Sequence, residues 1–212
     1  MKLFRIEARE RDRSGNTQLI CSLQSSKLLD NASFPESDDL NLNFQLEEKA
    51  KRTNFLSNSS IAALGFVIDD KVETLLGSMN LSEHRIYATP VIEKGETLSN
   101  YRWLHFKEDE NAILSTVDWN NSTFVKTNLF LKEGNVKIGS AEEYQRLSAE
   151  DHMITYEPEC LSFKDKQILN KDMFTLGSLF YGVIVSERLK ESLEKEKITG
   201  IRFTDISEMF ND

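Results

Sequence analysis

The sequence predicts an α+β fold dominated by sheet, with two short strand–helix–strand units at about residues 65–91 and 180–206. Three observations lead there. Leu40, Leu42, Phe44 and Leu46 alternate with Asn41, Asn43 and Gln45, the period of two that marks a strand with one buried face. Short runs of branched and aromatic residues recur along the chain, whereas long stretches with helical period are scarce. Residues 65–76 (Gly-Phe-Val-Ile-Asp-Asp-Lys-Val-Glu-Thr-Leu-Leu) also share their character with residues 182–193 (Gly-Val-Ile-Val-Ser-Glu-Arg-Leu-Lys-Glu-Ser-Leu).

Taken in order, Leu3–Ile6 and Gln18–Leu23 are predicted strands, with Ser14-Gly15-Asn16 as a turn between them. Asn31–Asp39, rich in Ser and Asp, is an exposed loop before the alternating strand. In the first unit an apolar strand ends at Asp69, and in the second at Ser186. Both side chains can accept hydrogen bonds from the free amides that open a helix, and the acids that follow, Asp70 and Glu187, favour the positive end of its dipole. Leu189 and Leu193 lie four apart on one helix face, and Thr199-Gly200 is the expected stop, since Gly tolerates a left-handed backbone. Leu81-Ser82 stays in register with Ile198-Thr199; a slip of about two residues then pairs Ile86, Thr89 and Val91 with Ile201, Thr204 and Ile206.

Tyr101–Phe106 is a predicted strand with Tyr101, Trp103 and His105 on one face. Ala112–Val117, Ser122–Leu131 and Leu161–Phe163 are further predicted strands. Asp118–Ser122 is a turn made through side-chain-to-backbone bonds, Glu108-Asp109-Glu110 a solvated loop tip, and Ala141–Leu147 a short helix.

Composition bounds the function. The 212 residues fit one domain, or two small lobes, and bury enough surface for a core without covalent staples. With 26 Lys+Arg against 35 Asp+Glu the net charge is −9, which disfavours a nucleic-acid binder, whose affinity needs clustered cations. Cys21 and Cys160 form no C-x-x-C pair, the N-terminal residues lack an apolar leader core, and no run approaches the length of a membrane span. The expectation is a cytoplasmic protein with reduced thiols and no membrane association.

Chemistry is sparse. His84, His105 and His152 have no i, i+4 partner and no nearby Cys pair, so no zinc pattern arises. Gly-rich phosphate loops and a Gly-x-Ser-x-Gly elbow are absent. A Cys160–His152 nucleophile–base pair is disfavoured because Glu159 would raise the thiol pKa. Asp118 as half of a carboxylate pair lacks a visible partner. No cofactor and no metal are expected, and no catalytic residue is assigned.

Gly182–Lys190 followed by Ile198-Thr199-Gly200-Ile201-Arg202-Phe203 resembles the closing module of a bacterial immunity-protein family of polymorphic toxin systems, first described as a domain of unknown function. The shared features are an apolar strand, a Ser-Glu-Arg helix start and a Thr-Gly-apolar-x-Phe ending. Asp118 and Ser122 are similar to the family's mid-chain Asp…Ser element, and Ile168, Asp172 and Phe174 to its acid-then-Phe strand. The resemblance covers about residues 65–206. It implies one immunity-protein-like domain over residues 1–212 that is not an enzyme and that binds a cognate toxin, encoded by the adjacent gene, in the cytoplasm. Acidic residues would then steer a basic toxin; the candidates are Glu108, Asp109 and Glu110, with Glu142 and Glu143 from the acidic segment Glu133–Glu159. A regulatory or protein-binding module with another partner, and a small hydrolase, remain the alternatives.

Overall fold

Two four-stranded sheets built to the same plan organise the chain. The computed structural model describes residues 1–8, 11–12, 15–16, 19–21, 31–35, 42, 44–46, 50–56 and 63–210. In chain order the strands are β1 (Leu3–Ala8), β2 (Arg11–Asp12), β3 (Gly15–Asn16), β4 (Leu19–Cys21), β5 (Phe44–Leu46), β6 (Phe55–Leu56), β7 (Gly65–Asp69), β8 (His84–Ala88), β9 (Val91–Glu93), β10 (Glu96–Leu98) and β11 (Tyr101–Phe106). The carboxyl half adds β12 (Thr123–Asn128), β13 (Leu131–Val136), β14 (Ile154–Cys160), β15 (Met173–Thr175), β16 (Val183–Ser186) and β17 (Ile201–Asp205). The described helices are α1 (Asp70–Leu76), α2 (Glu110–Thr116), α3 (Ala141–Glu150) and α4 (Glu187–Lys195), with short 3-10 turns at Lys166–Asn170, Gly177–Leu179 and Ser207–Met209. The fold is α+β and sheet-dominated, and both strand–helix–strand units are present as β7–α1–β8 and β16–α4–β17.

The two units sit in sheets of matching order, β6-β7-β11-β8 and β15-β16-β1-β17. In each, the two strands of the unit run antiparallel to an inserted middle strand, and so parallel to one another. The registers also match: Asp69 faces Tyr101 as Ser186 faces Leu3, and Ile86 faces Leu104 as Phe203 faces Ile6. A constant offset therefore runs through both units, and the two-residue slip expected from the sequence does not occur. Ile86 corresponds to Phe203, not to Ile201, because the pairing of each strand with its middle strand sets the register.

The helix starts form as the sequence predicts. Asp69 accepts from the Val72 amide and Ser186 from the Leu189 amide. Val72 and Leu76 on α1, and Leu189 and Leu193 on α4, are buried in one cluster with Ile68, Leu104, Ile6 and Val185. Each such side chain contributes roughly 2 kcal/mol of burial. The end of α4 comes earlier than expected: Lys197, at φ 54°, closes the helix with bonds Ile198 N to Leu193 O and Lys197 N to Glu194 O, while Gly200, also left-handed at φ 88°, turns the chain into β17.

Polar contacts cross between the units in a reciprocal way. Asn54 and Asp172 precede β6 and β15, and the carbonyl of each accepts from its own unit's cap amide, Asp69 N or Ser186 N, at 3.0 Å. Asn54 Nδ2 donates to Asp69 Oδ2 at 2.7 Å, and Ser186 Oγ donates to Asp172 Oδ1 at 2.9 Å. Each side chain also receives an amide from the loop after the other unit's helix: Thr199 N to Asn54 Oδ1 at 2.9 Å, Asn80 N to Asp172 Oδ2 at 2.8 Å. Such mutual exchange is the logic of a two-fold interface within one chain.

The outer faces of the two sheets carry separate cores. Val67, Tyr101 and Trp103 pack with Leu42, Phe44 and Leu46, on the sheet ordered β10-β9-β5-β4. Leu3, Phe174 and Ile184 pack with α2, α3 and the sheet β13-β12-β14 through Ile113, Leu114, Phe124 and Tyr144.

Several predicted elements are corrected. Ala112–Val117 is not a strand; Glu110–Thr116 is helical because Asp109 accepts from the Ala112 amide, and Ile113, Leu114 and Val117 share a buried helical face. Ser122–Leu131 is not one strand, since the chain reverses at Leu129-Phe130 between β12 and β13. Leu161 and Phe163 make only isolated bridges, to Phe210 and Val117. Gly15-Asn16 pairs with Arg11–Asp12 as a ladder instead of forming the turn. The alternating strand is seen at Phe44–Leu46, with Phe44 and Leu46 buried and Gln45 exposed; Leu40, Asn41 and Asn43 lie outside the described residues, as do Ser14, Gln18, Ser22 and Leu23, and residues 36–39 of the predicted loop.

Candidate functional site

The carboxyl half of the chain holds the site candidates. Residues 177–181 follow β15 and are pinned from two sides through Ser178. Glu110, in the first turn of α2, accepts from the Ser178 amide at 3.1 Å and from its hydroxyl. Tyr144 on α3 donates its phenol to the Ser178 carbonyl at 2.9 Å, and burial raises that phenol's pKa. Between this segment, α3 and β14 lies a groove of about 590 Å³, walled by Tyr144, Ile154, Tyr156, Phe180 and Tyr181, with Arg5 at its side. The Arg5 guanidinium lies 5.7 Å from the Phe180 ring centre, a cation–π placement. The groove is lined more by aromatic and aliphatic side chains than by polar ones, the latter including Ser148, His152 and Glu157, and so offers apolar contact.

At the mouth of that groove Ile154 pairs with Asn128, the last residue of β12. The hairpin turn beyond it presents Leu129 at 54 %, Phe130 at 96 % and Leu131 at 73 % exposure, with Met153 at 52 % beside them. Leu129 N donates to Met153 O at 3.1 Å, which ties the turn to the start of β14. Asn128 Nδ2 and Lys126 Nζ both bond Glu133, at 3.1 Å and 2.7 Å, so the hairpin is clasped behind its tip. Sequence reading missed this tip because it carries neither Gly nor the Asn-Gly pair that usually marks a two-residue turn.

The acids chosen from the sequence prove to be mostly engaged in the fold. Glu108-Asp109-Glu110 is not a solvated tip. Asp109 is the α2 cap, Glu110 holds Ser178, and burial pushes the Glu108 carboxyl above its usual range despite bonds with Thr175, Gly177 and Asn31. Glu143 reaches back to the Gly139 amide at 2.7 Å while its own amide donates to Ser140 Oγ, a capping-box arrangement. Glu142 is exposed, and bonds from its own amide and the Ser140 hydroxyl hold its carboxyl below the ordinary range. The five thus have separate tasks: Asp109 caps α2, Glu108 and Glu110 hold residues 175–178, and Glu142 and Glu143 open α3. Replacing Asp109 by Ala removes the α2 cap and is expected to cost about 1 kcal/mol, seen as a fall in Tm of about 3 °C by thermal unfolding.

The residues that carried the family resemblance are structural. Asp172 is 4 % exposed and accepts from Asn80, Ser186 and Arg188, joining β15, α4 and the loop after α1. Those hydrogen bonds, led by Arg188, hold its carboxyl below the usual range. Ser122 is buried, donates to the Asp118 carbonyl at 2.8 Å and accepts from the Ser162 amide at 3.0 Å, so Asp118–Ser122 is the turn the sequence predicts. His105 is buried on β11 and stacks with Trp103 at 6.2 Å. Cys160 is a free thiol at the end of β14.

Among the described residues no three His, Cys, Asp or Glu converge as a metal site, and no helix is long and apolar enough to cross a membrane. No curated protein matches the chain. The segment that contains β13, α3, β14 and the whole second unit does match a family model: residues 131–208 match the immunity protein family Imm11.

Proposed function

We propose that this protein is a cytoplasmic bacterial immunity protein that binds and neutralises a cognate toxin, the product of an adjacent gene, through a protein–protein interface. The match of residues 131–208 to an immunity family carries the reading. The architecture supports it: the matched segment supplies most of the aromatic groove, the exposed hairpin from Leu131 onward and the buried Asp172 junction. An inhibitor of this kind works by occupying a surface of the toxin, which needs a few buried anchors inside a polar rim. The net charge of −9 favours fast encounter with a basic toxin. In this reading Glu142 contributes to the rim from the solvent side of α3.

The test is co-expression. Cells making the toxin-domain protein encoded beside this gene should stop growing, and should recover when this protein is supplied. The two purified chains should also co-elute in gel filtration. Undiminished toxicity together with separate elution would remove the immunity reading.

A further inference from the structure

We propose that the β12–β13 hairpin tip, Leu129-Phe130-Leu131 with Met153, is the anchor by which this protein engages its toxin, entering an apolar pocket ringed by Lys and Arg on a basic partner. The inference rests on the immunity reading and names the surface that performs it.

Four large apolar side chains are displayed together, with Phe130 at 96 % exposure. Contiguous exposed apolar surface of this kind marks an interaction site. The backbone beneath is held in a conformation that these residues disfavour: φ is 47° at Leu129 and 74° at Phe130. A turn with two left-handed residues ordinarily takes Asn-Gly, and Leu and Phe there are a net cost to the fold. Burial cannot repay that cost within the chain, because both side chains face solvent. A cost without return in folding is accounted for by return in binding. The clasp of Asn128 and Lys126 on Glu133 keeps the tip ordered before encounter, which lowers the entropy lost on docking.

Charge selects the occupant. Glu157 and Glu159 stand exposed on β14, and Glu150 and Asp151 end α3 just before Met153; although Arg146 pairs with Glu150 and the exposed Lys132 follows Leu131, acids outnumber bases around the tip. A second copy of this chain would bring another −9 charge to the contact, and an anionic membrane would repel the same rim. A basic protein is attracted by it.

The experiment uses the full chain and the purified toxin-domain protein encoded beside its gene. Phe130→Ser should weaken binding at least thirtyfold, as expected for about a hot-spot residue's loss. Glu157→Lys with Glu159→Lys should slow association about tenfold at low salt and much less at high salt. The decisive variant is Leu129→Asn with Phe130→Gly, which suits the turn: it should raise Tm while binding falls. Tight wild-type binding unaltered in these variants overturns the anchor and leaves the immunity reading standing. Absence of wild-type binding removes both. A wild-type dimer in sedimentation that Phe130→Ser dissolves, or tip-dependent binding to anionic phospholipid vesicles, would replace the proposed occupant and so overturn the proposal.

Discussion

Replacing Asp172 by Ala is expected to lower the stability of this protein by about 3 kcal/mol and its Tm by about 10 °C. The carboxylate is buried and gathers four donors from two separate segments: Asn80 N after α1, and Ser186 Oγ with Nε and Nη2 of Arg188 at the start of α4. Without it, the Asn80 amide and Ser186 hydroxyl lose their acceptor in the same step. Arg188→Ala should cost far less, because its side chain is 63 % exposed and screened by water. The pH dependence has a definite sign. The folded carboxyl has its pKa lowered from 3.8, so the stabilisation is fully present above that value and is lost as pH falls below it. Urea unfolding at pH 7 and near pH 3 should show the Asp172→Ala penalty shrinking in acid. An equal penalty at both would break the assignment of the carboxylate as the junction's organiser.

Gly200→Ala is expected to be as damaging, at about 3 kcal/mol. Gly200 has φ +88°, and a Cβ there would lie 2.1 Å from the carbonyl oxygen of Phe55 and 2.6 Å from Thr53 Oγ1. This is the place where β17 begins and where the second unit touches β6 of the first, through Phe55 N to Thr199 O at 3.0 Å. Gly95 supplies the control: its φ is +86°, yet a Cβ there meets nothing within 4 Å. Gly95→Ala should therefore cost only the backbone strain, about 1 kcal/mol. The difference between the two variants in thermal unfolding measures the close approach of the units. Equal effects would mean that the approach at Phe55 carries no weight.

What the sequence made legible was local. The side chains that open α1 and α4, Asp69 and Ser186, act over three residues and were readable from spacing. The face alternation of Phe44, Gln45 and Leu46 was readable too. What failed depended on partners far away in the chain. Glu108-Asp109-Glu110 looked like a solvated charge run, but Ser178 lies 68 residues from Glu110 and gives that carboxylate its task. Once Asp109 was read as loop, Ile113 and Leu114 lost their helix start and looked like strand. The slip in the second half of the repeat arose from matching identities, Ile86 with Ile201, which share a face with the true counterpart Phe203; only pairing with the middle strand sets the register. For the site, sequence supplied an acidic protein and a family resemblance; the groove and the tip needed β12, β14 and residues 177–181 to be brought together.

The position of β1 between β16 and β17 bears on how the chain is made. Its neighbours are encoded roughly 175 residues later, which at ordinary ribosomal speed means a wait on the order of ten seconds or more. During that interval Leu3, Phe4 and Ile6, all buried at the end, have no strand to join. A nascent chain in this condition invites capture by a chaperone before its last strands emerge.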